Sequence, residues 1–144
     1  MDEDQAQRRA ERGERANQHR RAQLARGEEE SAKAQILIDR FVTQAAQAGL
    51  PTEELTARPW SGRGRYRTGL VGWYLRSDHS IGLGEDGSYY VLIVPPVRFG
   101  RWRAVRVDPT PPPLVVGKGG RDGDSVALDT LLQLRLDPSD RGPG

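Results

Sequence analysis

The chain has 144 residues, 29% of them charged and 35% hydrophobic, with no cysteine and a net charge of +2. That is one domain with a tail at most, polar enough that part of the chain stays outside any core. Disulfides, cysteine nucleophiles and thiolate metal sites are excluded, and no apolar run reaches the roughly 20 residues that span a bilayer.

The N-terminus, "MDEDQAQRRAERGER", is acidic first and lacks an apolar h-region, so the expected location is cytoplasmic, away from membranes. Basic residues are 20 Arg against 2 Lys. No surface chemistry requires that bias, and GC-rich codons explain it, which points to a bacterial source. Positive charge is concentrated mid-chain: residues 58–106 carry nine Arg against Asp78, Glu85 and Asp86.

Residues 1–30 contain one Leu, no aromatic and no β-branched residue. They cannot bury enough apolar surface to offset their ordering entropy. Ala, Gln, Glu and Arg favour helix, and Glu11–Arg15 is a favourable i,i+4 pair, while Gly13 and Gly27 weaken the helix. A heptad through Ala10, Asn17, Leu24, Ser31 and Ile38 has two good core residues only, so a coiled coil is poorly supported. The segment reads as a charged arm, helical or disordered. From Ser31 the pattern changes. Ala34, Leu37, Ile38, Phe41, Ala45 and Ala48 fall at spacings of three and four, one apolar helix face. Gly49 and Pro51 end that helix.

A strand-rich block follows. "ELTARPW" (54–60) can add an edge strand, the position where Pro59 is tolerated. "TGLVGWYLR" (68–76), "SIGLG" (80–84) and "SYYVLIVP" (88–95) read as three strands of an antiparallel meander, the last one central. Asp78-His79 and Glu85-Asp86-Gly87 supply the turns. "PTPPP" (109–113) is a stiff connector. "LVVG" (114–117) reads as a strand, and Leu128, Leu131, Leu132 and Leu136 as a helix face, although Leu132, Leu134 and Leu136 also match a strand. The expected architecture is α+β: a helix from residue 31 packed on a small antiparallel meander, then a short C-terminal helix. The domain runs over 31–137, between the arm (1–30) and a frayed tail (138–144). Leu37, Phe41, Trp73, Leu75, Val91 and Ile93 are expected to share one core.

Four motifs bear on chemistry. "GKGGRDGDS" (117–125) stands between a strand and a helix, the order of a phosphate-binding loop. It lacks the spacing of a Walker A or dinucleotide loop. Lys118, Gly119, Gly120 and Arg121 remain a generic anion candidate, opposed by Asp122 and Asp124, and the stronger reading is a turn in which Asp124 or Ser125 caps the helix. "SDHS" (77–80) holds the residue types of a hydrolase triad, but neighbours in sequence cannot form that relay, and the stretch reads as a turn. Two distant histidines make a zinc site improbable. "RPWSGRGRYR" (58–67) and "RFGRWR" (98–103) interleave arginine with aromatic rings. If they fold onto one face, Trp60, Arg63, Arg65, Arg67, Arg101, Trp102 and Arg103 form a basic aromatic patch suited to unpaired bases. The plain alternative is buried rings and solvated arginines. Arg106, Pro109 and Pro112 fit an R-x-x-P-x-x-P ligand pattern, better read as a rigid connector. No catalytic residue, metal ligand or cofactor is assigned. The expected function is a non-enzymatic intracellular binding or adaptor module with a protein partner, and the alternative is weak, sequence-tolerant nucleic-acid binding.

Overall fold

The computed structural model describes residues 2–100, 102–117 and 125–137, and its class is α+β. A single helix, α1 (Asp2–Ala48), spans both the arm and the expected domain helix. At 1.5 Å per residue it is about 70 Å long. Residues 2–30 are exposed throughout, whereas Ala34, Ile38, Phe41 and Ala45 are buried. Gly49 ends α1 with a φ of 68°, and the Leu50 N–H donates to the Ala45 carbonyl at 2.9 Å, closing the last turn in a left-handed cap.

Five strands follow: β1 (Glu53–Pro59), β2 (Tyr66–Tyr74), β3 (Ile81–Gly84), β4 (Tyr89–Val91) and β5 (Ile93–Val94). Their order is β4-β3-β2-β1-β5. The β2-β3-β4 meander is antiparallel, as the turn chemistry requires, with Asp86-Gly87 between β3 and β4. Two expectations change. The sheet is mixed, because β5 pairs parallel to β1. And β1 is not an edge, since it has β2 on one side and β5 on the other. Pro59 fits because Arg58 and Trp60 supply the N–H groups to Leu92 and Val94 on the β5 side, while pairing with β2 stops at Ala57.

The strand expected over 88–95 is thus divided. It pairs with β3 through residues 89–91 and with β1 through 93–94, so the two ends of the sheet are parts of one segment. The sheet therefore curls towards a small barrel and buries both faces. Trp73, Leu75, Ile81, Leu83 and Tyr89 face α1; the Phe41 and Trp73 rings meet edge-on at 5.3 Å. Leu55, Tyr74, Tyr90 and Leu92 fill the concave side. The single core expected from the sequence is corrected accordingly. Phe41, Trp73 and Leu75 share the helix-side cluster and Leu37 packs against it, but Val91 is 39% exposed and Ile93 is half-buried outside both clusters.

Residues 105–114 form a strap across the open side of the sheet. Val105 N–H donates to Arg67 O at 2.7 Å and Thr110 N–H to Tyr89 O at 2.8 Å. Val107 packs on the concave cluster and Pro112 is buried. A hairpin of β6 (Val115–Val116) and β7 (Val126–Ala127) leads into α2 (Leu128–Leu136). Leu128 and Leu132 close the helix-side core, which decides for helix over the 128–136 stretch. The expected side-chain cap is absent: Ala127 occupies that position with no side-chain hydrogen bond. Among the described residues no helix is long and apolar enough to cross a membrane.

Candidate recognition groove

The β1–β2 loop and the segment after β5 meet in an open groove of about 320 Å³. Pro59, Ser61, Gly62, Arg63 and Tyr66 form one wall; Pro96, Val97, Phe99, Gly100 and Trp102 form the other. The parallel β1–β5 pairing brings these segments together, since Trp60 N–H donates to Val94 O at 3.0 Å. Tyr66 fastens the far end. Its hydroxyl accepts from Val97 N–H at 3.1 Å, and its ring lies flush against Gly100. A Cβ on Gly100 would fall 2.7 Å from the Tyr66 ring, so only glycine fits without displacement.

The side chains presented by this scaffold are exposed. Phe99 and Trp102 on its wall are 56% and 71% exposed, and Trp60, next to Pro59 in the chain, is 67% exposed. The Phe99 and Trp102 rings are tilted together at 5.8 Å, and the Arg98 guanidinium lies 5.3 Å from the centre of the Phe99 ring, within the range of a cation–π contact. Phe99 also holds a φ of 63°, a left-handed conformation that is costly for a bulky residue and that concentrates at functional sites. Two successive turns fix this conformation, through Gly100 N–H to Val97 O at 3.1 Å and Trp102 N–H to Phe99 O at 3.0 Å.

Of the basic aromatic residues singled out in the sequence, Arg63 and Trp102 line the groove, whereas Trp60, between Pro59 and Ser61 in the chain, is not among its lining residues. Arg67 neighbours Tyr66 on β2, so its side chain leaves by the opposite face. Arg65 reaches His79, with its Nη1 3.5 Å from Nδ1. Arg103 is exposed between Trp102 and the strap. Arg101 lies outside the described residues, as do Lys118, Gly119, Gly120 and Arg121. The two stretches singled out in the sequence already held Tyr66 and Phe99; the lining residues that sequence reasoning missed are Pro96 and Val97, which lie outside both. The alternation of arginine and rings around Phe99 was visible, but its partner wall is set by a parallel pairing that no local signal announces.

The "SDHS" stretch is a turn. The Asp78 carboxylate accepts from Ser80 N–H at 3.0 Å and from Ser80 Oγ–H at 2.6 Å. Burial alone would raise the Asp78 carboxyl. The hydroxyl and backbone donors of Ser80, with Arg76 and Arg58 nearby, outweigh burial and hold it below the ordinary carboxylate range. The His79 ring does not complete a relay: it stacks flat on Tyr74 at 3.9 Å. The R-x-x-P-x-x-P stretch belongs to the strap, with Arg106 paired to Asp108 at 3.0 Å. No protein-family model, curated protein or solved structure matches the chain.

Proposed function

We propose that the chain is a small intracellular, non-enzymatic binding or adaptor module that recognises its partner in the groove between residues 59–66 and 96–102. One observation carries this reading: two segments more than thirty positions apart are locked to each other, yet they leave Trp60, Phe99 and Trp102 exposed. Large aromatic side chains on a fixed framework are the usual anchors of recognition, because they bury much area at little entropic cost. The described lining includes Arg63, Ser61 and Tyr66 but no carboxylate or imidazole, which favours binding over acid–base chemistry.

Affinity capture from a lysate of the source cell tests the reading. The wild-type chain should retain a partner that the Trp60→Ala/Trp102→Ala double variant loses, and a chain lacking residues 1–28 should still retain it. Loss on removal of the arm, with the double variant unaffected, would place recognition on α1 and overturn the groove reading.

A further inference from the structure

Resting on the groove being the recognition surface, we infer that its occupant is a stretch of single-stranded nucleic acid, held in the groove by the exposed rings of Phe99 and Trp102 beside Arg63 and Arg98, and meeting the exposed Trp60 where it leaves the groove. The argument is charge complementarity joined to ring exposure. Every charged residue in 58–77 is arginine, and so is every one in 87–107. Both walls of the groove come from these two stretches. Among the described residues no carboxylate forms an ion pair with Arg63, Arg98 or Arg103, so these guanidinium groups are available to phosphate, the group their planar fork suits.

Charge alone would suit any polyanion, including an acidic peptide. The rings decide between them. Bases of a single strand offer flat faces at each repeat, and they stack on aromatic side chains regardless of sequence. A duplex hides those faces, so phosphate contact is all it could use here. The groove is open and small, at the lower end of ligand-site volumes, which suits a few units of a linear polymer crossing it. Phe99 and Arg98 show the pattern in miniature, a guanidinium already resting on a ring. The left-handed Phe99 backbone, at a φ of 63°, leaves this ring exposed together with that of Trp102.

The test is a fluorescence titration of the full chain with a mixed-sequence oligonucleotide as DNA and as RNA, at about 50 mM salt. The same-sequence duplex, inorganic polyphosphate and a polyglutamate peptide serve as comparisons. Trp73 is buried and supplies a background the ligand cannot quench. The single strand should quench the exposed tryptophans, and the base-free polymers should not. The relative affinity of the DNA and RNA forms identifies the preferred sugar. Each of Trp60→Ala and Trp102→Ala should weaken binding roughly five- to a hundredfold, whereas Trp60→Phe/Trp102→Phe should retain most of it. With Arg63, Arg98 and Arg103 each on one phosphate, affinity should fall about 20-fold from about 50 to about 200 mM salt, and Arg63→Gln should flatten that slope. Equal binding of polyphosphate and oligonucleotide, unchanged in the tryptophan variants, would overturn the inference in favour of charge alone. Binding of polyglutamate and not of the single strand would overturn it in favour of an acidic protein partner and leave the groove intact as the binding site. If the single strand does not bind and lysate capture is indifferent to the tryptophan variants, the groove reading fails as well.

Discussion

The two halves of α1 have the same backbone and opposite environments. Residues 2–30 are exposed at every position, while Ala34, Ile38, Phe41 and Ala45 are shut against the sheet. Helix formation has a costly first turn and cheap extension. The packed half supplies that nucleus, and the Ala-, Glu-, Gln- and Arg-rich arm can extend it by about 43 Å with no core of its own. The contact that marks the boundary is Glu30, whose carboxylate accepts from Leu114 N–H at 3.1 Å. Helical conformation and tertiary burial are therefore separate properties here, joined only from Glu30 onward.

The sharpest way to break this contrast is in the packed half. Phe41→Ala removes a ring that is 1% exposed and in contact with Trp73, and should cost roughly 3–5 kcal/mol in denaturant unfolding through lost burial and a cavity. Ile36→Ala, on the exposed side of the same packed half of α1, should stay within about 0.5 kcal/mol. Equal effects would mean that α1 does not pack as described.

A smaller effect tests how tightly α1 and the strap close over the sheet. Burial pushes the Tyr89 phenol from 10.0 up to about 12, with Arg76 acting in the opposite direction. Below pH 10 both folded and unfolded chains keep this proton. Between about 10 and 12 the unfolded chain releases it first, so stability should fall as pH rises through that interval. Tyr89→Phe should make this alkaline loss shallower, and an unchanged profile would mean that Tyr89 is open to water.

At the boundary itself, Glu30→Ala should cost about 1 kcal/mol or less, the worth of one exposed hydrogen bond. The smallest effect belongs to the arm: removing residues 1–28 should shift unfolding by no more than about 0.5 kcal/mol. A clear fall in midpoint would show that the arm docks on the domain and would end the contrast between the halves.

Local chemistry made much of this molecule legible. The i,i+3/i+4 spacing from Ala34 to Ala45 located the buried helix face, Gly49 its end, and Asp86-Gly87 the hairpin between β3 and β4. Each of these signals acts within a few residues, through backbone sterics or side-chain direction. The groove was legible only as two separate stretches, because neither "RPWSGRGRYR" nor "RFGRWR" carries any mark of the other.

What the sequence determined by itself is the α+β class, a helix packed on an antiparallel meander, and a charged arm too poor in apolar residues to build a core. What the tertiary structure decided is where β1 and β5 lie. Leu92 enters the concave core, so the 89–94 segment turns from β3 to β1 and the sheet closes on itself. That closure buries Tyr74 and Tyr90 on a face a flat meander would leave wet. It also brings Trp60 alongside Val94 and sets Phe99 and Trp102 across from Arg63. Parallel pairing between distant segments is chosen by the summed burial of a whole core, and that sum has no counterpart in any single stretch of sequence.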